Sequence, residues 1–153
     1  MLWGGTAVLS PEAILASGRG MDHCKSTRIV LVVGNDDFYN KLKDALADTT
    51  FALVQASTKH EAMKLLELLR AEIDIAIIEL ELANYHGWDL IRHLNLPPEM
   101  PGKFIATTSL YPELISRQVE ELGVDAVVQK VMPPEEWRRT IEAVLATEEN
   151  ALR

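Results

Sequence analysis

The 153-residue chain is acidic, with 15 Lys and Arg residues against 23 Asp and Glu residues and a formal net charge of −8. A surface of that sign repels phosphate backbones and anionic membranes, so we expect a protein partner rather than nucleic acid or a membrane. No stretch approaches the ~20 apolar residues of a membrane-spanning helix. The only cysteine is Cys24, which excludes an internal disulfide and favours a reducing, cytoplasmic location.

The length predicts one domain, at residues 26–147, between an N-terminal extension at 1–25 and a polar tail at 148–153. The extension lacks a basic start and a cleavage signature, which excludes a signal peptide. It is expected to be flexible or partly helical. Because it runs to Met21, it is either an artefact of start-codon choice or a natural segment with a short helix at 10–16, opened by Ser10 and Pro11.

From Arg28 onward, short apolar runs alternate with helical patterns. Strands are predicted at Arg28–Val33, Phe51–Ala56, 74–80, Lys103–Thr108 and 125–129. A helix is predicted after each strand, the fourth at 112–122 and the last opened by Pro133 and Pro134. Alternating strands and helices of this kind predict right-handed crossovers and one parallel sheet that is covered on both faces.

Two helix starts bear on the site. Asp36 and Asp37 are predicted to cap the first helix, and a loop at 81–87 is predicted to precede the third helix. In a doubly wound sheet, ligands bind outside the carboxyl ends of the strands. The residues of interest are therefore those that follow strands one, three, four and five: residues 34–37, Glu79, residues 108–109 and Lys130.

From about Arg28 to Leu145, the order and spacing of these elements resemble the receiver (CheY-like) domain of two-component response regulators. The resemblance rests on the stretch Leu122-Gly123-Val124-Asp125-Ala126 before Lys130, on Thr108 at the end of strand four, and on Glu79 with Gly87 after strand three. It implies an α/β flavodoxin-like fold, (βα)5, with a doubly wound five-stranded parallel sheet in the strand order 2-1-3-4-5.

The resemblance also implies roles for single residues. Receiver domains transfer a phosphoryl group from a histidine kinase to an aspartate with the help of Mg²⁺. Glu79 stands at the acceptor position, Lys130 at that of the lysine that stabilises the phosphoryl charge, and Thr108 at that of the hydroxyl that bonds the phosphate. Val127 stands at the aromatic switch position. The face of helix four, strand five and helix five is the one that changes partners.

Several positions depart from the receiver pattern. Gly34 and Asn35 align with the metal-binding acidic pair, and Asp36 and Asp37 are displaced towards the helix, although Mg²⁺ needs near-octahedral oxygen ligands. Glu79 is longer than aspartate by one methylene, about 1.5 Å. The turn after strand three reads His86-Gly87 where the family has aspartate-glycine. We therefore expect no enzymatic activity, no metal or other cofactor, and no phosphorylation by the usual route.

Two interpretations of Glu79 remain open. It is either a partial mimic of a phosphorylated aspartate that holds Lys130 and Thr108, or one half of a structural ion pair in a retired site. Asp36 and Asp37 are likewise either ligands of a divalent ion with Glu79 or, more simply, residues at the positive end of a helix dipole. His23 and Cys24 lack further ligands nearby, so no metal site is predicted there.

The last helix carries the interface candidates Trp137, Arg138 and Arg139. Trp and Arg dominate interface hot spots, but a tryptophan can equally belong to the core. The sequence thus predicts an atypical, stand-alone receiver domain that acts in signal transduction as a phosphorylation-independent protein-interaction module. Its expected partner is a histidine kinase, another signalling protein or a second copy, bound through helix four, strand five and helix five.

Two alternative functions remain. The domain is either still phosphorylated by a histidine kinase through an unusual site, or it binds a small ligand in the same crevice. The sequence lacks a glycine-rich phosphate loop, which weakens the second alternative.

Overall fold

The computed structural model describes residues 7–8, 28–69, 72–94, 103–109, 111–121 and 123–151. The strands of this part of the chain are β1 (Ala7–Val8), β2 (Arg28–Val33), β3 (Phe51–Ala56), β4 (Ile73–Glu79), β5 (Lys103–Thr108) and β6 (Ala126–Gln129). The helices are α1 (Asp36–Ala45), α2 (Lys59–Leu69), α3 (Leu82–Leu94), α4 (Pro112–Glu120) and α5 (Pro134–Ala151). Within these residues, no helix is both long and apolar enough to cross a membrane.

All neighbouring strands are parallel, and the sheet has the order β1-β3-β2-β4-β5-β6. Apart from β1, this is the predicted order 2-1-3-4-5 with strands counted from Arg28. The predicted doubly wound α/β fold is therefore confirmed.

The sheet separates two apolar clusters, because successive side chains of a strand point to opposite faces. The central strands β2 and β4 contribute to both clusters, which explains why their sequences are apolar at nearly every position. One face packs against α1 and α5 through side chains that include Val30, Val32, Phe38, Trp137 and Ile141. The other packs against α2 and α3 through side chains that include Leu31, Val33, Leu66, Leu90 and Ile91.

The short strand β1 was not predicted. Ala7 pairs with Ala52 and Val8 with Leu53, so this strand extends the sheet beyond β3. These two residues of the predicted extension at 1–25 therefore form a strand. A two-residue strand is too short to show periodicity, and it forms because it satisfies backbone groups that the edge of β3 would otherwise leave unpaired. The predicted helix at 10–16, His23 and Cys24 lie outside the described residues.

Helix α3 differs from the prediction at its start. The predicted loop at 81–87 is largely helical, since α3 begins at Leu82 and contains Gly87. A Cβ atom at Gly87 would lie 2.1 Å from the carbonyl oxygen of Glu79 and 2.7 Å from Cα of Leu80. This glycine is therefore a point of close packing that holds α3 against the end of β4, and not a turn.

Helix α5 also differs, at its end. It continues to Ala151, into the segment predicted as a polar tail. The residues Ala-Thr-Glu-Glu-Asn-Ala contain neither glycine nor proline, so nothing in their chemistry stops the helix.

Candidate functional site

The carboxyl ends of β2, β4, β5 and β6 bring the predicted site residues together. Glu79 pairs with Thr107 in the sheet, and the amide of Lys130 donates to the carbonyl of Thr108 at 2.7 Å. Asn35, two residues after the end of β2, donates its backbone N–H to Oε1 of Glu79 at 3.2 Å. The rule that functional residues follow the strand ends thus locates one continuous cluster.

Glu79 is the buried centre of this cluster. It is only 4% exposed, and its Oε2 forms an ion pair with the ammonium group of Lys130. The Lys130 side chain is 27% exposed, so the pair is shielded mainly on the glutamate side. A buried carboxylate is stable only when it is paired and hydrogen-bonded, and the second bond from Asn35 completes that requirement.

Gly34 provides the space that Glu79 occupies. A Cβ atom at Gly34 would lie 2.7 Å from Oε1 of Glu79 and 2.7 Å from Cδ2 of Phe38. Contacts that short force the neighbours to move. Gly34, which the resemblance aligns with an acidic residue of the receiver family, therefore leaves room for the longer acidic side chain of Glu79 from β4.

Aromatic contacts connect the ion pair to α5. Nζ of Lys130 lies 5.9 Å from the centroid of the Phe38 ring, within the range of a cation–π interaction. Phe38 in turn meets Trp137 edge-on, with centroids 5.7 Å apart. Trp137 is fully buried, which favours the core interpretation and makes it unavailable as an exposed interface anchor. Arg138 is half-buried and Arg139 is exposed.

The start of α1 is capped differently from the prediction. Oδ1 of Asn35 accepts the N–H of Phe38 at 2.9 Å, so Asn35 is the N-cap, and Asp36 and Asp37 form the first turn. Asparagine is among the best N-cap residues, and carboxylates are favoured in the first turn by the helix dipole. Asp36 accepts a hydrogen bond from Nε2 of Gln55 at 2.9 Å. Asn35, Asp36 and Asp37 are exposed.

These residues do not fit the Mg²⁺ that the resemblance implies. Across the described residues, no three Asp, Glu, His or Cys side chains are placed to hold a metal ion. Gly34 offers no ligand, and both carboxylate oxygens of Glu79 already accept bonds from the protein.

A second acidic residue belongs to the site and was missed by the sequence analysis. Oγ1 of Thr108 donates to Oε2 of Glu81 at 2.5 Å, and the amide of Ser109 donates to Oε1 of Glu81 at 3.0 Å. Thr108 is fully buried. In the sequence, Glu81 is only the first residue of the predicted loop at 81–87. It lies two positions past Glu79, so the rule that site residues follow the strand ends includes it when the rule is extended by two residues.

No protein-family model matches the sequence. No curated protein shows significant similarity to it either. Solved structures, however, match the fold closely.

A response regulator from Thermotoga maritima is 19% identical, with a TM-score of 0.68, over 78% of this chain and 98% of that one. A CheY-like receiver domain protein from Methanospirillum hungatei JF-1 is 23% identical, with a TM-score of 0.65, over 82% and 98%. The chain has the receiver fold. A crystal structure of the P1 domain of CheA3 in complex with CheY6 from R. sphaeroides contains a chain that is 22% identical to this one, with a TM-score of 0.61, over 79% and 98%.

Val127, which the resemblance places at the aromatic switch position, lies on the last strand, β6. Its side chain is half-buried, pairs across the sheet with Ala106, and packs against the cluster beneath α2 and α3. Valine has no ring that could turn between an inward and an outward position. The side chain of His86, which precedes Gly87 in the turn predicted after strand three, lies outside the described residues.

Burial also shifts the pKa of one titratable side chain on α1. Burial raises the pKa of the Tyr39 hydroxyl above 10.0. Tyr39 lies on α1 and packs beneath that helix with Leu42. Among the described residues its hydroxyl has no hydrogen-bond partner, which is consistent with a structural role for this side chain.

Proposed function

We propose that this chain is an atypical receiver domain that acts in signal transduction as a protein-interaction module without being phosphorylated. One observation carries the proposal: the acidic residue at the acceptor position, Glu79, is buried and already bonded by Lys130 and Asn35. The fold is the shared feature with receiver domains, and this site is where the chain departs from them.

Phosphoryl transfer is disfavoured by this geometry. The reaction depends on an exposed oxygen that attacks in line and on a metal that neutralises the developing charge. A phosphodonor would first have to displace Lys130 and the Asn35 amide from the Glu79 carboxylate. No ligand set for Mg²⁺ is formed by the described residues at this edge. A constitutive role, which needs neither phosphate nor metal, agrees with the arrangement.

The proposed interaction surface is that of α4, β6 and α5. Tyr111 and Leu114, at the start of α4, are 68% and 69% exposed, and Val131, just after β6, is 69% exposed. Large apolar side chains at such exposure are suited to a protein partner, because association removes them from water. The acidic net charge disfavours nucleic acid and anionic membranes. The proposed partner is a histidine kinase or another signalling protein of the cytoplasm, in line with the CheA3–CheY6 complex among the similar structures.

The first experiment addresses phosphorylation. Amide NMR spectra of the full chain are recorded with Mg²⁺ and beryllofluoride, a phosphoryl analogue, beside a phosphorylatable receiver domain that verifies the reagent. We expect no change in the amides of Asn35, Leu80 and Lys130. Saturable shifts at these three amides would contradict the proposal and favour a receiver that is still phosphorylated.

The second experiment addresses the surface. Leu114→Asp places a charge on α4, and Leu68→Asp, on α2, is the matched control because Leu68 is also exposed, at 55%. We expect Leu114→Asp to abolish binding of the physiological partner, or self-association if the partner is a second copy, while Leu68→Asp leaves it unchanged. Equal effects of the two variants would exclude the α4 surface.

A further inference from the structure

The two sides of the sheet end in strands of different character. On one side lies β6, which has four residues and is therefore a short edge strand. On the other side, β3 has six residues, and five of their side chains are buried. A strand that is buried on both faces cannot carry the charged side chains that protect other edge strands. Within the described residues, only the two-residue strand β1 lies beyond it.

The backbone direction shows which residues of β3 face outward. The amide of Gly34, which follows β2, donates to the carbonyl of Ala56 at 3.0 Å, so the backbone groups of Ala56 face β2. Successive residues of a strand in a parallel sheet direct their backbone groups to alternate sides. The residues whose groups face away from β2 are therefore Phe51, Leu53 and Gln55. These three residues form the outer edge of β3.

Two neighbours cover part of this outer edge. The amide of Phe51 donates to Oγ1 of Thr49 at 3.2 Å. β1 covers the next position, because Val8 lies opposite Leu53 and the parallel register places the carbonyl of Ala7 against the Leu53 amide. In the described part of the chain, β1 pairs with two of the six residues of β3. The middle of the outer edge therefore depends on β1 for its backbone partners.

We propose that the outer edge of β3 is a self-pairing surface that binds β3 of a second copy, and that β1 is the cover strand that prevents this pairing. The segment Phe-Ala-Leu-Val-Gln-Ala of β3 has no charge, proline or glycine. Six-residue segments of this kind pair with identical segments when their backbone groups are free. The partner is therefore a second copy of this chain, whose β3 pairs antiparallel across a two-fold axis.

This inference goes beyond the proposed function. The surface of the proposed function includes β6, which is the strand on the opposite side of the sheet. The two surfaces are therefore separate, and each can be tested without the other.

The length of chain between β1 and β2 allows the cover strand to leave the edge. The 19 residues 9–27 connect Val8 to Arg28. β1 and β2 are two strand spacings apart, about 10 Å, whereas a chain of that length reaches about 60 Å when extended. Connection to β2 therefore does not fix β1 to the edge. Because its pairing is intramolecular, β1 acts at an effective concentration on the order of 1 mM and prevails over a second copy in dilute solution.

The test of the cover strand is amide hydrogen exchange in Ala7→Pro. Proline lacks the N–H that Ala7 directs to β3, so we expect exchange of the Leu53 amide to rise about fivefold, which corresponds to the loss of one hydrogen bond. Ala7→Ser keeps the N–H and is the control. The Val54 amide, which faces β2, should exchange at the natural rate in both variants. Unchanged exchange of Leu53 in Ala7→Pro, or an equal rise at Val54, would overturn the role of β1 as a cover strand.

The test of self-pairing is sedimentation of Ala7→Pro over a range of concentrations. A fivefold larger open fraction in each of two copies should lower the apparent dissociation constant of the dimer about 25-fold. Adding Gln55→Pro should remove this association, since the Gln55 N–H faces outward and proline is tolerated at such a position. Gln55→Ala is the matched control, because it loses the same side chain but keeps the N–H, and it should leave the association intact. A monomeric Ala7→Pro, or equal effects of the two substitutions at Gln55, would overturn the self-pairing surface.

Two further measurements complete the test. If Gln55→Pro does not fold, exchange of the Gln55 amide in Ala7→Pro replaces it, and this amide should become protected as the protein concentration rises. Exchange that is independent of concentration would overturn the self-pairing surface. Adding Leu114→Asp to Ala7→Pro should leave the association unchanged, whereas its loss would overturn pairing through β3 and show that the copies meet through α4. A failure of the proposed α4 surface in its own test leaves the inference on β3 untouched.

Discussion

The two ends of the sheet both use acidic side chains, but for different donors. At the amino end, Asp74 accepts the N–H of Ile29 at 2.7 Å, and Asp125 accepts the N–H of Phe104 at 2.8 Å. At the carboxyl end, Glu79 binds the ammonium group of Lys130. The amino-end carboxylates thus extend the hydrogen bonding of the strands, whereas the carboxyl-end carboxylate neutralises a charge.

The carboxylates at the two ends also differ in burial. The side chain of Asp125 is 33% exposed and is 3.7 Å from Lys103, whereas that of Glu79 is 5% exposed. Solvent screens the first pair and weakens it. The second pair is shielded, so each partner depends on the other. The comparison shows that the presence of a carboxylate at a strand end says little about its function until its donor and its burial are known.

The largest expected effect comes from Lys130→Met. This change leaves the Glu79 charge buried with only the Asn35 amide, and breaking a buried pair costs about 3 kcal/mol of the free energy of unfolding. Urea denaturation measures it. The double variant Lys130→Met/Glu79→Leu is the control and should recover most of that loss, because it removes both charges. A loss below about 0.5 kcal/mol in the single variant would show that the pair is as screened as the one at the amino end.

A smaller effect is expected from Gly34→Ala. The added methyl group meets Oε1 of Glu79 and the Phe38 ring, both at 2.7 Å, and overpacking of this kind costs about 2 kcal/mol. Thermal and urea unfolding measure the loss. Adding Glu79→Asp, which shortens the side chain, should restore part of it. Full stability of Gly34→Ala would show that Glu79 does not need the space above Gly34.

Much of the fold follows from local patterns. The bounds of Arg28–Val33 and Phe51–Ala56 are those predicted, since each strand is a short apolar run between turn residues. The sequence also predicts that Glu79, Thr108 and Lys130 lie at the same edge of the sheet, because parallel strands bring their carboxyl ends to one edge.

Other features depend on tertiary contacts that a single sequence does not display. The start of α3 at Leu82 was missed because Gly87 reads as a turn residue, and only its distance to the Glu79 carbonyl shows that it is a packing position in a helix. Glu81 was missed because its bonds to Thr108 and Ser109 span residues far apart in the sequence. The N-cap of α1 is Asn35, one residue before the predicted caps Asp36 and Asp37. Three adjacent polar residues can each cap a helix, so the sequence alone does not show which of them does.

The smallest expected effect is that of replacing Asp74, which tests the amino end of the sheet in this comparison. Asp74 lies where the pairing of β2 with β4 shifts, between the pairs Ile29–Ile73 and Val30–Ile75, so its carboxylate bonds an amide that the shift would leave unpaired. Asp74→Ala should cost about 1 kcal/mol, the value of one such hydrogen bond. Asp74→Asn keeps an acceptor oxygen and should lower the free energy of unfolding by less.

Glu79→Gln also keeps an acceptor oxygen but removes the charge that Lys130 needs. It should therefore lower the free energy of unfolding clearly more than Asp74→Asn does in the same urea titration. Equal costs for the two amide variants would mean that charge has the same weight at both ends, and the distinction between a sheet-completing carboxylate and a charge-neutralising one would not hold.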